Sequence, residues 1–286
     1  MVTIKEMAQE LGVSTTTVSN VIHGKTKEVS PANIERIQKI LKKYDYTPNI
    51  NARNLASKRS KIIGLLIKSK QNKIVNRFED PFIGGILGAI ERHVRQKGYY
   101  LMVYAVDDVH QVQQFTMSWN MDGLITSGFV EGDIRYLKER FKNPIAIIDD
   151  YDTNGLGNCA NIRIEDEQAE YLLTKYVISC GHRKLAFLAD NLVNLDKIRF
   201  QGFCRALKEA NIPVSREENF IQIYASDAGE PQNMDEIYEK SFSYTALLCA
   251  SDYYAVHIEN MLLDRGRKIP EEISIAGFDD VPISRI

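Results

Sequence analysis

Apolar positions near the start of the chain recur with helical spacing. Ile4, Met7, Ala8 and Leu11 fall at i, i+3, i+4 and i+7, one face of a short helix. Thr3 stands before it as an N-cap, and Glu6 three residues on completes a capping box. Gly12 ends the helix, because glycine takes positive φ cheaply. Val13 is the apolar residue of the turn, and Ser14 caps a second helix over Thr15 to Ile22. Val18, Val21 and Ile22 form the apolar face of that helix, with Thr15, Thr16, Ser19 and Asn20 mainly on the polar one. His23-Gly24 stops it. A third helix opens at Ser30-Pro31, where proline's missing N–H costs nothing, and runs to Tyr44 on Ile34, Ile37, Ile40 and Leu41.

Beyond residue 60 the pattern alternates between short apolar runs and amphipathic stretches. Strands are expected at Ile62–Ile67, Tyr99–Val106, Gly123–Thr126 and Ile145–Ile148. Helical faces lie at Phe82, Ile86, Leu87, Ile90 and Val94, and around Gly132–Phe141. The series continues with helix Glu167–Ser179, strand Leu185–Ala189, helix Lys197–Ala210 and strand Phe220–Tyr224. Strand Ala246–Ala250, helix Tyr253–Leu263 and strand Ile273–Ala276 complete it. Such alternation implies parallel sheets wrapped by helices, which bind ligands at the carboxyl ends of their strands. The fold class expected is therefore α/β behind an all-α headpiece.

At 286 residues the chain is long enough for two or three domains. Its first 60 residues hold ten lysines and arginines against five acids, a net +5, and the remaining 226 carry a net −7. A basic front end on an acidic body suggests that one piece meets a polyanion and the other does not. The N-terminus has no apolar core of a signal peptide, and no run is long enough to span a membrane. Cys159, Cys180, Cys204 and Cys249 lack CxxC spacing and the five histidines lack ligand spacing, so no metal and no cofactor is called for. Reduced core thiols and a cytoplasmic location are the plain expectation.

Two short helices joined by a tight turn and braced by a third make a helix-turn-helix, whose second helix fits the major groove of DNA. Short hydroxyl and amide side chains suit base edges, and threonine methyls suit the methyl of thymine. Residues Thr3 to Ala8, Gly12-Val13-Ser14 and Thr17 to Gly24 resemble the headpiece of the LacI/GalR family of transcription regulators. Tyr46-Thr47-Pro48-Asn49-Ile50-Asn51-Ala52-Arg53-Asn54-Leu55-Ala56 resembles that family's hinge. The resemblance implies that Thr15, Thr16 and Asn20 read bases, while Ser14, Thr17 and Ser19 meet the phosphate backbone. Thr3 and His23 on the headpiece, and Asn49 and Ala52 in the hinge, complete the DNA-binding set it implies. Leu55 matches the hinge leucine that wedges into the minor groove. Asn20 departs from the pattern: most relatives carry arginine there, so the family-average operator does not transfer to this chain.

The resemblance extends into the body of the chain. Asp80-Pro81-Phe82 resembles a segment that opens the first helix and lends an aromatic ring to a cleft, and Asp149 ends a strand. Gly181-His182-Arg183-Lys184 resembles a family turn, with His182 read as structural. Arg199 with Gly202-Phe203 matches a motif whose arginine points at the effector, Ser251-Asp252 matches a pair that precedes a helix, and Gly277-Phe278-Asp279-Asp280 matches a further family motif. These matches imply a periplasmic-binding-protein-like core of two lobes, with Phe82, Asp149, Arg199, Asp252 and Asp279 contacting a small molecule. Carboxylates and a guanidinium suit the paired hydroxyls of a sugar, and an aromatic covers its apolar face. The expected division is a headpiece over residues 1–47, a hinge over 48–60, a first lobe over 61–160 and a second over 161–286. Family members continue past the last motif with a segment that returns to the first lobe; this sequence stops before it, and an incomplete sequence is expected rather than a protein that lacks the segment.

Other classes fit less well. Paired carboxylates such as Asp149-Asp150 and Asp279-Asp280 suggest acid–base chemistry, but no nucleophile–base motif or phosphate loop accompanies them. A solute-binding protein for transport calls for a secretion signal where residues 1–60 form the headpiece. The chain therefore reads as a non-enzymatic repressor of carbohydrate-utilisation genes in a bacterial cytoplasm, associated with the nucleoid. Its expected partners are a pseudo-palindromic DNA operator, a second copy of itself in a homodimer, and a small molecule, read as a sugar, that controls it allosterically.

Overall fold

The computed structural model describes residues 2–47, 59–68, 78, 81–149, 157, 159–224 and 231–285. They form two compact units, Met1–Ser60 and Lys61–Ile286.

In the first unit α1 (Ile4–Leu11), α2 (Thr15–Ile22) and α3 (Pro31–Lys43) fall where the apolar spacing puts them. Both N-terminal caps form as expected. The Thr3 hydroxyl accepts from Glu6 N at 3.2 Å, and a Glu6 carboxylate oxygen accepts from Thr3 N at 2.8 Å. Ser14 Oγ accepts from Thr17 N at 3.0 Å and starts α2. Gly12 takes the left-handed conformation, φ 67°, that the sharp turn between α1 and α2 requires. Ala8, Val18, Val21, Val29 and Ile37 make the core, with Ile4, Leu11, Val13, Ile22, Ile34 and Leu41 packed around it. Polar ties brace α1 against α3. Glu10 accepts from Lys43 Nζ at 2.8 Å and Tyr44 Oη at 2.7 Å, and an Arg36 Nη donates to the Leu11 carbonyl at 2.9 Å.

The second unit carries two parallel sheets. The first has the order β2-β1-β3-β4-β5, from β1 (Ile62–Lys68), β2 (Tyr100–Val106), β3 (Gly123–Ser127), β4 (Ile145–Ile148) and β5 (Cys159–Ile162). Helices α4 (Pro81–Gln96), α5 (Val109–Trp119) and α6 (Glu131–Arg140) lie on its crossovers. The second sheet has the order β7-β6-β8-β9, from β6 (Leu185–Ala189), β7 (Phe220–Gln222), β8 (Ala246–Cys249) and β9 (Ser274–Ala276). Around it lie α7 (Asp166–Ser179), α8 (Asn194–Glu209), the single turn α9 (Arg216–Asn219), α10 (Met234–Ser241) and α11 (Asp252–Asp264). A headpiece followed by two parallel sheets is the fold class the alternation predicts.

Several boundaries differ from expectation. The lobe division expected at residue 160 falls inside β5, which pairs with β4 along its whole length, so the first sheet extends to Ile162. The four residues of β5 alternate between half-buried and exposed at a sheet edge and leave little apolar signal. The short α9 and α10 escape notice for a similar reason: in α10 only Ile237 and Ser241 are buried. α5 has a readable face in Val109 and Val112, both buried. Every residue of β6 and of β8 is buried, as expected for central parallel strands covered on both faces.

α7 and α8 cross closely, and Gly202 is the residue that permits it. A Cβ there would lie 2.2 Å from the Glu167 carbonyl oxygen and 2.9 Å from Tyr171 N. This approach brings the first turn of α7 beside the second turn of α8, where Asp166 of one meets Arg199 of the other.

Candidate DNA interface and effector site

The polar face of α2 is presented at the surface of the first unit. Ser14, Thr15, Thr16 and His23 are exposed, and Thr17, Ser19 and Asn20 are half-buried. Thr16 and Asn20 lie four residues apart and so on one side of the helix. Val18 and Val21 point the opposite way, into the core. The hydroxyls are not all equivalent. Ser14 Oγ caps the helix and lies 2.8 Å from Thr17 Oγ1, and Thr3 Oγ1 donates to Glu6 at 2.9 Å. Thr3, Ser14 and Thr17 therefore have local structural work, while Thr15, Thr16 and Asn20 carry no such cap. Asn49, Ala52 and Leu55 lie outside the described residues, as do Asp80 and Asp150.

In the second unit two of the expected effector residues, Asp279 and Asp149, gather about a third, the buried Arg199. Arg199, in the second turn of α8, is 4% exposed. Its Nε donates to Asp166 Oδ1 at 2.9 Å, one Nη donates to the Ala250 carbonyl just past β8, and the other donates to Asp279 Oδ1 at 3.3 Å. The Phe278 ring lies against the guanidinium plane at 3.7 Å. Two carboxylates, a carbonyl and a ring thus fix one cation at the carboxyl ends of β8 and β9. Order reverses between β6 and β8 in this sheet, the switch point at which open α/β sheets place their ligands.

Asp149 follows β4 of the other sheet, yet it feels the same cluster. Burial pushes its carboxyl above the usual range, the charge of Asp166 adds to that, and Arg199 opposes it. Burial likewise raises Asp166, with Arg199 holding it down and the charge of the buried Asp196 pushing it up. Asp149 and Asp279 both carry positive φ, 58° and 109°, a backbone strain of the kind found at ligand sites. Asp279 keeps its side chain only 17% exposed.

Asp252 is engaged within the fold. Its Oδ2 accepts from Val281 N at 2.9 Å, and its own N–H donates to the Phe278 carbonyl at 2.7 Å. A Cβ on Gly277 would lie 2.3 Å from Asp252 Oδ1, so the loop after β9 needs glycine there. Asp252 therefore braces the loop that carries Phe278 and Asp279. Phe82 stands in the first turn of α4 on the other lobe, half-buried. His182 Nδ1 meets Thr245 Oγ1 at 3.0 Å and ties two turns together, a structural role.

Sequence reasoning misses Asp166 and Asp196, whose charges act within the cluster, and the buried Glu170 one turn along α7 from Asp166. Asp166, Glu170 and Thr174 recur at i, i+4 and i+8 on α7 and continue into the buried Val177 and Ile178. That stripe is the available signal, polar where a buried face is expected to be apolar.

Residues 3–49 match the family of bacterial regulatory proteins described as lacI, and residues 174–286 match the periplasmic binding protein-like domain. The HTH-type transcriptional repressor PurR of Vibrio atlanticus is 30% identical over 294 residues, which span 99% of this chain and 84% of that protein. The chain belongs to the LacI family. A second relative, the ribose operon repressor of Haemophilus influenzae, is 29% identical across the whole chain and 84% of its own length. A crystal structure of the lac repressor dimer bound to operator and the anti-inducer ONPF shares the fold, with a TM-score of 0.83 and 23% identity over 99% of this chain and 84% of that one. The CelR–cellobiose complex superposes with a TM-score of 0.68, at 21% identity over 100% of this chain and 85% of that one. As a LacI-family member this chain is a DNA-binding transcriptional repressor under the control of a small-molecule effector, not an enzyme. Among the described residues no helix is long and apolar enough to cross a membrane, and no cluster of side chains is built to hold a metal ion.

Proposed function

We propose that this LacI-family repressor controls genes of carbohydrate use, binding as a homodimer to a pseudo-palindromic operator and answering to a sugar held between its two lobes. In this reading α2 enters the major groove. Thr15, Thr16 and Asn20 read base edges, and Ser14, Thr17, Ser19, Thr3 and His23 meet the backbone. Asn49, Ala52 and Leu55 belong to a hinge that folds on DNA, with Leu55 wedged into the minor groove. The net +5 of the first 60 residues supplies the attraction to phosphate and makes binding fall steeply with salt. The protein works in the bacterial cytoplasm, at the nucleoid.

The observation that carries the sugar reading is Arg199, fixed between Asp166 and Asp279 with Phe278 along its face. The site is rich in acceptors. Asp149 and Asp279 offer carboxylate oxygens to hydroxyl donors, and a preorganised guanidinium returns donors to ring or hydroxyl oxygens. A sugar that exchanges with the Asp279 contact would change how the loop after β9 is held and hence the angle between lobes. Hinge folding is the two-state element that operator and sugar would both bias.

A thermal-shift panel of monosaccharides, disaccharides and nucleobases tests this. One sugar at about 100 times its Kd is expected to stabilise the second unit by roughly 2.7 kcal/mol, and Arg199→Lys to remove the shift. Stabilisation by a nucleobase and by no sugar would overturn the sugar reading. On DNA, Leu55→Ala is expected to weaken operator binding while leaving sugar affinity intact. Equal operator affinity of variant and parent would count against the hinge assignment.

A further inference from the structure

Glu170 is an acidic side chain for which the effector site has no evident use. It lies on α7 one turn beyond Asp166 and is wholly buried. Its Oε1 accepts from Thr174 Oγ1 at 3.1 Å, and its Oε2 has no hydrogen-bond partner among the described residues. Thr174 bonds it from its own helix, where Asp166 lies one turn back; the charge of Arg199 on α8 acts on it, and its own charge acts on the Cys249 thiol of β8, as does that of Asp252. Arg199 directs its donors to Asp166, Ala250 and Asp279, so the nearby cation does not bond Glu170.

An ionised carboxylate with one oxygen unpaired in such a place would carry a full desolvation penalty, which the neutral acid largely avoids. Burial accordingly pushes the carboxyl up from 4.5 to about 8, with Thr174 and Arg199 lowering it only in part. Of the Arg199 contacts, the one to Asp279 is the longest, at 3.3 Å against 2.9 Å to Asp166. It is the contact that a competing carboxylate would take first.

We propose that Glu170 is a proton-held positioning residue of the effector site: protonated, it leaves Arg199 to Asp166 and Asp279; ionised, it competes for the guanidinium and releases the Asp279 loop. The inference rests on reading the Arg199 cluster as the effector site. It makes effector binding proton-linked, and by reciprocity an effector that displaces the Arg199–Asp279 contact shifts the proton affinity of Glu170. The sign for stability comes from the raised value. The folded chain holds this proton and the unfolded chain gives it up above 4.5, so the proton's contribution is full below 4.5 and is lost as pH rises to about 8.

The test uses the full chain and needs no effector. Infrared spectra and the Arg199 Nε resonance are recorded at about pH 6 and about pH 9 for the parent and Glu170→Gln, with unfolding followed across the same range. The parent is expected to show a protonated-carboxyl band at the lower pH that Glu170→Gln lacks. Its Nε resonance should move with pH where that of the variant stays put. The pH slopes of stability should differ by up to about one proton. Thr174→Val removes a bond to the charged form and is expected to shift the transition to higher pH. The same band in parent and Glu170→Gln, or the same Nε titration in both, would overturn the proposal. If these proton signals hold while no small molecule of the panel shifts the protein, the proton switch stands and the effector reading is the part that fails.

Discussion

The two units use polar side chains in opposite ways. In the first, a small apolar core holds three helices, and the residues proposed to read DNA, Thr15, Thr16 and Asn20, line the outward side of α2. In the second, the cluster proposed to hold the effector is buried: Arg199, Asp166, Asp196 and Glu170 lie inside, bonded to one another or held close. A surface reader changes with little effect on its scaffold. A buried cluster is scaffold and site together, so its substitutions register as lost stability before they register as lost specificity.

The contrast predicts where substitutions bite. Arg199→Ala strips the buried Asp166 of its cation and should cost the second unit roughly 3–5 kcal/mol, since breaking a buried pair leaves an uncompensated charge. Urea unfolding followed by the fluorescence of Trp119, the single tryptophan and a residue of this unit, reads that loss, and a change under about 1 kcal/mol would show that the cluster does not brace the unit. Gly202→Ala is next. Its Cβ meets backbone at 2.2 Å, so α7 and α8 must part, at a cost of about 1–3 kcal/mol in the same assay. Thr16→Ala and Asn20→Ala belong to the other unit and should behave oppositely. Each is expected to leave stability within about 0.5 kcal/mol while weakening a cognate operator by roughly 1–3 kcal/mol in a titration. Ser14→Ala sits between the two behaviours, because the hydroxyl caps α2. A loss of about 1 kcal/mol of headpiece stability should accompany weaker DNA binding, seen by circular dichroism of residues 1–60.

How far the sequence can be read divides along the same line. In the headpiece each local signal points the same way: the Thr3–Glu6 box, the left-handed Gly12, the Ser14 cap and Pro31 at the first turn of α3 all stand where the apolar period requires them. The parallel sheets are legible because central strands such as Leu185–Ala189 are unbroken apolar runs. Short elements at the margins, β5 and α9, bury too little to leave a period. For the proposed effector site, Arg199 and Asp279 come from motif resemblance, and the contact between them brings together residues 80 positions apart. Asp166 and Glu170 stay hidden for a physical reason. Carboxylates four apart on a helix read as a solvated face, and only the tertiary packing of α7 on α8 turns that face inward. The positive φ of Asp149 and Asp279 likewise leaves no periodic trace.

The most direct test of operator reading by α2 is a selection of genomic DNA fragments by the purified chain. It is run beside Thr16→Ala/Asn20→Ala at low salt, with and without the sugar panel. The parent is expected to enrich a short pseudo-palindrome, and one sugar to alter its recovery. The double variant is expected to lose the enrichment while unfolding at the same urea concentration. Equal enrichment by parent and double variant would contradict the claim that α2 reads the operator.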